Sequence, residues 1–405
     1  MNREYFVHID TAPPSGADSG PLSGKTVAVQ QNMSVRGWPT EAGSKALEKF
    51  TALEDATVVE RVRKAGARVA GSTRTSEFGF GLVGDTAAGA VSEGSVDIAF
   101  VTDTMGEARV AASGERLFGF KPTFGLVSRC GLIGLVPSME CYGIVAKTPE
   151  EIAAVMEAIA GGNGSDYSMP NEDIPDFSGV CRESVKNVRA GVITQCRELL
   201  EPEDAKSFDA ALSRLEETGF RIMEVRLDDF DLFRTAHHII GSVEASSSAG
   251  KYDGVRYGHR TASSRNWNEM YLKTRAESFG LLMKTYLFQG AYFQFENYEA
   301  FENACRIRAK LVSDAASVFE HVDVIVAPTL CTGAPVSEEN TVNEMYDAYS
   351  LTLPANVTGQ PAVAIPGRLF GRETDPGLQL IAPRLHDARL LSIAAYLLSV
   401  KKGES

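Results

Sequence analysis

The sequence predicts an α/β fold with a sheet covered by helices on both faces, and three observations carry this prediction. Short apolar runs typical of buried strands recur along the 405 residues. Segments with helical periodicity lie between several of these runs, and such alternation is typical of a sheet covered on both faces. The composition agrees, because 44% apolar and 23% charged residues is the balance of a globular protein.

The apolar runs predict strands at 26–31, 96–101, 188–193, 221–225, 322–327, 362–366 and 378–382. Helical patterns are found at 55–67, 203–218, 298–319 and 387–399. Asp55 is the predicted cap of the first helix, and Gly66 lies near its end. A further helix is predicted to begin after Thr148, because Pro149 suits the first helical position and Glu151 follows three residues after the cap.

The domain organisation is predicted to be simple. Residues 1–20 form an extended N-terminal segment, and the Pro-, Gly- and Ser-rich stretch 11–24 is typical of a linker. Residues 21–400 form a single domain, in which the region 240–300 is expected to be a helical lobe over the pocket. We find no internal repeat.

Charge and motif content exclude several classes of function. The net charge of −13 and the lack of a basic run argue against direct binding of nucleic acid. Neither a membrane-spanning segment nor a secretory signal is recognisable. The six scattered cysteines predict reduced thiols in a cytoplasmic protein. No phosphate-binding glycine motif is present, and the adjacent His237 and His238 cannot face one metal, so no cofactor and no metal are expected.

Several longer segments occur in an order typical of one family. They are GKTVAVQQNMSVRG at 24–37, VTDTMGEAR at 101–109, the stretch 118–152, YDGVRYGHR at 252–260 and LPANVTGQPAVAIPG at 353–367. The chain resembles the amidase signature family over about residues 20–400, and within it the A subunits of tRNA-dependent amidotransferases. The resemblance implies the amidase-signature fold, with a large mixed sheet.

The resemblance also implies three catalytic groups. A lysine at the end of the first core strand and a serine in a Gly/Ser-rich loop move the proton, and a second serine attacks the amide carbonyl. Here Gln30 stands at the lysine position, and its amide cannot serve as a base. The loop serine is lost near Val83–Thr86, and Glu107 replaces the attacking serine. The triad is therefore predicted to be degenerate.

The loop that carries the nucleophile in the family forms the candidate pocket here, with Glu107 as its central residue. The neighbouring candidates are Asp103, Thr104, Met105, Gly106 and Arg109. Met105 replaces a glycine in a loop whose backbone N–H groups, by the resemblance, face the substrate oxygen, and the Glu107 charge would oppose a developing oxyanion. Arg109 and Asp103 are expected to form a partly buried pair. Opposite Arg109, Glu107 would be structural; facing a pocket, it could bind an ammonium group or act as a catalyst.

The family's A subunits grip glutamine with a tyrosine, an arginine and an aspartate, and these positions also differ. The resemblance places His237–His238, Lys284–Leu287 and Tyr349 at the three positions. It therefore implies that the glutamine clamp is lost together with the triad.

Three functional hypotheses follow. The favoured one is a pseudo-amidase with a binding or scaffold role, assembled with B- and C-like subunits or with an active paralogue. The second is an enzyme with altered chemistry, in which Glu107 acts on a small amide or amine ligand. The third is residual amide hydrolysis or supply of ammonia from glutamine, which would require a different base.

Overall fold

A computed structural model describes residues 2–11, 19–180, 187–330, 340–370 and 377–403 of the chain. Within these ranges a single mixed sheet of eleven strands forms the centre of the fold. Numbered along the chain, the strands are β1 Phe6–Ile9, β2 Thr26–Gln30, β3 Arg68–Thr73, β4 Ile98–Asp103, β5 Phe118–Lys121, β6 Cys141–Ala146, β7 Arg189–Ile193, β8 Arg221–Val225, β9 Val324–Pro328, β10 Ala362–Ile365 and β11 Leu378–Ile381. From edge to edge their order is β1-β3-β2-β4-β6-β5-β10-β11-β9-β7-β8.

Helices surround this sheet. They are α1 Thr57–Lys64, α2 Ala87–Ser92, α3 Glu107–Gly114, α4 Pro149–Ile159, α5 Thr194–Glu198, α6 Pro202–Glu217, α7 Leu232–Ser248, α8 Trp267–Ser278, α9 Leu281–Phe295, α10 Tyr298–Val318, α11 Val342–Ala348, α12 Leu353–Thr358 and α13 Asp387–Gly403. Successive side chains of a strand point to opposite faces. Val27 and Val29 accordingly pack with α1 and α4, whereas Ala28 packs with α2 and α3. The predicted α/β sheet with helices on both faces is confirmed.

The strand directions bring three carboxyl ends together. Strand β2 pairs in parallel with both β3 and β4, while β4 pairs antiparallel with β6. The loops that leave β2, β3 and β4 therefore meet at one edge of the sheet, the place where ligand sites of α/β proteins commonly lie.

All seven predicted strands are found, and the inner strands β3, β5 and β6 come in addition to the prediction. Each of these three contains a glycine, which weakens the strand pattern in the sequence. A Cβ on Gly119 would lie 2.4 Å from the carbonyl oxygen of Ala108, and one on Gly143 would lie 2.2 Å from the Ala108 Cβ. These two glycines therefore allow α3 to pack closely on the sheet.

The helix starts agree with the sequence in one case and differ in another. Thr148 caps α4, since its hydroxyl accepts a hydrogen bond from the Glu151 amide. Asp55 does not cap α1, whose first flanking residue is Ala56. Its carboxylate instead accepts the Arg36 amide at 2.7 Å and pairs with Arg63, because the chain turns there to place Ala56 at the cap position.

Three regions singled out from the sequence have these structures. Phe6–Ile9, within the N-terminal segment, pairs with β3 as an edge strand, while residues 12–18 of the linker lie outside the described residues. Region 240–300 is mainly helical, comprising the end of α7, α8 and α9. No helix in the described part of the chain is both long and apolar enough to span a bilayer. The described cysteines are free thiols, and Cys181 and Cys331 lie outside the described ranges.

Candidate functional site

The candidate site lies where β2, β3 and β4 end. Gln30 is the last residue of β2, and Asp103 is the last residue of β4. The segment after β3 carries Val83 and Thr86, and the turn after β4 leads directly into α3, which begins at Glu107. The strand pairing thus brings the three positions compared with the family's triad to the same edge of the sheet.

The Gln30 amide is bound on both of its sides. Its oxygen accepts the Thr102 backbone N–H at 2.7 Å, and its Nε2 group donates to the Asp85 carboxylate. Burial raises the pKa of Asp85 to about 6. A lysine ammonium could not accept the Thr102 N–H, because it has donors only. Gln30 therefore suits a structural role at the end of β2.

The hydroxyl nearest the expected loop serine is already engaged. Thr86 is the hydroxyl residue of the segment Glu77–Val91. Its hydroxyl donates to the Tyr5 carbonyl at 2.6 Å and accepts the Arg74 amide at 3.1 Å. Val83 is apolar and lines a cavity of about 330 Å³. Neither residue of this segment therefore offers a hydroxyl for proton transfer.

Glu107 binds the backbone of its own loop. Its Oε2 atom accepts N–H groups of Thr104 at 2.7 Å, Met105 at 2.8 Å and Gly106 at 3.1 Å. Its Oε1 atom accepts the Gly81 N–H at 3.1 Å. The side chain is 0% exposed. The carboxyl group thus fills the concave row of N–H donors at the N-terminus of α3, a place that favours an anion.

The ionisation of Glu107 reflects opposing influences. Burial and the charge of Asp103 raise the pKa of Glu107 to about 7, although the hydrogen bonds from the loop backbone act in the opposite direction. The group therefore titrates near neutral pH. The hydrogen bonds from the loop N–H groups favour the charged form.

A glycine and a threonine hold the turn around Glu107. Gly106 has φ of +131°, which favours glycine, and a Cβ there would lie 2.2 Å from the Thr352 hydroxyl oxygen. The same hydroxyl donates to the Met105 carbonyl at 2.5 Å. The close approach of Thr352 fixes the direction of the loop N–H groups.

Asp103 and Arg109 form a buried ion pair behind the loop. Two guanidinium nitrogens donate to the two Asp103 oxygens at 3.0 and 3.2 Å, and both side chains are 0% exposed. Arg109 also donates to Gln379 at 2.8 Å and to Asn356 at 2.5 Å. Burial alone would raise the pKa of Asp103, but the Arg109 charge and hydrogen bonds hold it below its usual value. The expected pair is present but fully rather than partly buried, because strands and α12 cover it.

The residues at the positions of the glutamine clamp pack into an aromatic cluster. His237 Nε2 donates to the Thr104 carbonyl at 2.9 Å, and Nδ1 accepts from the Tyr346 hydroxyl at 2.9 Å. Burial lowers the pKa of His237 to about 3, so the ring is neutral. Tyr286, from the segment Lys284–Leu287, places its hydroxyl 2.9 Å from that of Tyr346 and stacks on Phe80 at 4.5 Å.

Two further residues, Tyr349 and His238, lie at the positions of the glutamine clamp. Tyr349 is fully buried, and burial raises the pKa of its hydroxyl well above the usual value. His238 is hydrogen-bonded to Gln289 at 2.8 Å and packs 4.8 Å from the Tyr346 ring. His237 and His238 thus both pack with aromatic residues. Among the described residues no group of three or more metal-binding side chains is present.

The candidate pocket residues are closed off from solvent. Asp103, Thr104, Met105 and Arg109 are at most 2% exposed, as buried as Glu107 itself. The cavity of about 330 Å³ is lined by Gly81, whose N–H contacts Glu107. The backbone of Gly81 therefore separates the carboxyl group from this cavity.

Sequence reasoning missed the residues that hold the loop from the second half of the chain. Asn356 donates to the Asp103 carboxylate at 2.9 Å, and Gln379 donates to the Pro328 carbonyl at 3.1 Å while accepting from Arg109. Asn356 lies inside the segment 353–367 that carries part of the family resemblance, which is its one signal. Thr352 lies in the stretch 351–354, which matches a pattern of the family, whereas Gln379 stands in an apolar strand and has no such signal.

Comparisons with known proteins agree on one family. The amidase family model matches residues 8–391. The A subunit of glutamyl-tRNA(Gln) amidotransferase from Natronomonas pharaonis is 33% identical, with 98% of this chain and 100% of that protein covered. The protein of the same name from Synechococcus sp. is 32% identical, with 95% and 85% covered. The crystal structure of the corresponding Thermotoga maritima protein superposes with a TM-score of 0.78 at 26% identity, covering 96% of this chain and 86% of that one.

Proposed function

Because the chain belongs to the amidase family, we propose that it is a catalytically silent member of it, a pseudo-amidase with a binding or scaffold role. One observation carries the proposal. The Glu107 carboxyl group occupies the loop N–H groups that, by the resemblance, face the oxygen of the substrate.

The chemistry of amide cleavage explains why this matters. Attack on an amide carbonyl moves negative charge onto its oxygen, and backbone N–H groups must be free to receive that charge. Here those donors are already satisfied by a carboxyl group, whose own charge would repel a second anion. A substrate oxygen could bind only if Glu107 left a fully buried position.

By the resemblance, the chain also lacks the lysine that serves as the base of the reaction. Gln30 has no proton acceptor of useful basicity, and its amide is held by Thr102 and Asp85. Loss of triad members alone typically lowers turnover by about 10³–10⁶. The added loss of free N–H donors argues against the residual-activity hypothesis.

Altered chemistry at Glu107 is disfavoured for a geometric reason. A catalytic carboxylate must reach a substrate atom at hydrogen-bond distance. The four hydrogen bonds of this carboxyl group are to backbone N–H groups, and none of its surface is exposed. The burial of the neighbouring pocket residues supports the same conclusion for a small amide or amine ligand at this position.

A role in an assembly is supported by the relatives. Their names describe the A subunit of an amidotransferase, and the chain covers most of their length. We propose that this chain keeps the surface of such a protein and binds B- and C-like subunits or an active paralogue. Mild purification from the native host tests this part: a second protein in stoichiometric amount supports it, and a chain isolated without any partner contradicts it.

A fluorophosphonate probe tests the loss of the nucleophile. We expect no added mass on the native protein after treatment with excess probe, because Glu107 stands where the family has its attacking serine. An active family amidase, treated in parallel, serves as the positive control. Intact-protein mass spectrometry reads the result, and a stoichiometric adduct mapped to a serine or threonine near Glu107 would show that a nucleophile remains.

A further inference from the structure

The outer side of α8 and α9 carries an unusual concentration of exposed apolar side chains. We call it the α8–α9 face, and it consists of Leu272, Leu281, Phe288, Tyr292 and Phe295. The exposed fractions are 82% for Leu281, 77% for Phe288, 73% for Phe295 and 65% for Leu272. Apolar side chains of this size do occur singly on surfaces, but here five lie on two consecutive helices.

Helix α9 is apolar on both of its sides. Its inner side, with Met283, Tyr286, Leu287 and Gly290, is buried. Its outer side repeats large apolar residues at positions 281, 288, 292 and 295, the spacing of one helical face. A helix that is apolar all round is normally buried on all sides. The outer side of α9 therefore has the composition of a surface that is covered.

The size of this face fits a protein interface. Its three aromatic side chains, at roughly 150–250 Å² each and about two thirds exposed on average, leave on the order of 300–500 Å² of apolar surface in water. The two leucines add to that area. A stable interface buries about 800 Å² on each partner, of which more than half is apolar. The α8–α9 face supplies the apolar part of one such interface.

Basic and acidic side chains beside the α8–α9 face lie near opposite ends of α9. Arg275 and Lys284 line the groove between α8 and α9 near the start of α9. Glu296 and Glu299 are exposed near its end. Within the described residues none of the four lies within ion-pair distance of a carboxylate or cation, but Lys284 interacts with the largely buried Glu77 carboxylate at the start of α9, and Arg275 donates to the Ala249 carbonyl at 2.6 Å. Lys284 and Glu296 are about 18 Å apart along the helix axis.

This arrangement is complementary to itself in one orientation. A second copy whose α9 runs antiparallel brings the basic end of each helix to the acidic end of the other. A parallel copy would bring like charges together. Antiparallel pairing about a two-fold axis is also the common symmetry of a homodimer, in which one surface contacts itself. The two helix dipoles are then opposed as well.

We propose that the α8–α9 face is a homodimer interface, in which α9 of one chain packs antiparallel on α9 of a second copy. This inference is independent of the proposed loss of catalysis, since it uses none of the residues of the candidate active site. It identifies the binding partner for this surface as the chain itself.

Molar mass in solution tests the proposal. We expect sedimentation velocity at micromolar concentration to give about twice the chain mass of 43.6 kDa. Phe288→Asp is expected to raise the dimer dissociation constant on the order of 100-fold, because two charges would enter the centre of an apolar interface. Leu53→Asp is the matched control, since Leu53 is 81% exposed but lies outside the face. A wild-type monomer at all concentrations, or a Phe288→Asp dimer of unchanged strength, would overturn the proposal.

Charge reversal tests the antiparallel orientation. We expect Lys284→Glu and Glu296→Lys each to weaken the dimer about three- to tenfold at low salt, because each places like charges at both ends. An equimolar mixture of the two variants restores opposite charges at both ends, and its dimer should recover the wild-type strength. A mixture no stronger than the two separate variants would contradict antiparallel pairing.

Discussion

Glu107→Ala is expected to lower the free energy of unfolding by about 3–5 kcal/mol. The substitution leaves four backbone N–H groups without an acceptor, and an unsatisfied buried donor costs about 1–3 kcal/mol. Entry of water would recover part of this loss. The first turn of α3 also loses an acceptor at its N-terminus, which is worth about 0.5–2 kcal/mol.

Chemical denaturation with added anions measures this effect and its cause. Formate is a carboxylate small enough to occupy the vacated N–H groups, so it should raise the unfolding midpoint of Glu107→Ala in proportion to the logarithm of its concentration. Neutral formamide at equal concentration controls for the effect of the solvent on the unfolding midpoint, and chloride controls for the effect of salt. Wild type should respond to none of the three, because its own carboxyl group fills the position.

A matched variant distinguishes the site from ordinary helix capping. Glu344 also accepts a backbone N–H at the start of a helix, from Thr341 at 2.7 Å, but in an exposed position. Glu344→Ala should cost about 1 kcal/mol and show no recovery with formate. If Glu107→Ala were as stable as wild type, or unresponsive to formate, the carboxyl group would not be filling an anion site.

Arg109→Ala is expected to destabilise the fold by about 3–5 kcal/mol, the usual cost of removing one partner of a buried ion pair. Asp103 would remain buried with a charge that the Asn356 hydrogen bond and the charge of Lys121 offset only in part. The contacts that Arg109 makes to Gln379 at 2.8 Å and to the Thr352 carbonyl at 3.0 Å would also be lost. These contacts join the loop before α3 to the second half of the chain.

Urea unfolding followed by circular dichroism checks this expectation. Arg226→Ala is the control, because Arg226 pairs with Asp228 at 3.0 Å on the surface and exposed pairs contribute at most about 1 kcal/mol. Arg109→Lys keeps the charge but loses the bidentate hydrogen bonds to Asp103. We therefore expect its loss of stability to lie between those of Arg226→Ala and Arg109→Ala. Equal stability of Arg109→Ala and Arg226→Ala would show that the buried pair does not hold the loop.

The fold was largely predictable, and two of the inner strands that escaped prediction, β5 and β6, have a shared physical cause. Strands such as β9 and β10 are uninterrupted apolar runs, so their sequences predict them directly. Strands β5 and β6 contain Gly119 and Gly143 where α3 approaches the sheet. Their glycines are a consequence of packing between distant segments, which a local pattern does not reveal.

The candidate site was predictable by position but not by arrangement. The sequence places Gln30 and Glu107 at two of the expected catalytic positions, and it predicts that the loop serine is lost near Val83. That Glu107 turns back to its own loop depends on the φ of Gly106 and the approach of Thr352 from 245 positions further along. Glu107 is buried, as in the structural alternative, but its partners are loop N–H groups, because Arg109 binds Asp103 instead.

Release of ammonia by the wild-type protein shows directly whether the chain has lost amide hydrolysis. Glutamine, asparagine and simple aryl amides would be incubated with the pure chain, and ammonia or aryl amine would be measured over hours. We expect rates equal to those of buffer, both in the wild type and in Glu107→Gln. Turnover above buffer would contradict the loss of catalysis, and its disappearance in Glu107→Gln would show that the carboxyl group acts on a substrate rather than occupying the loop.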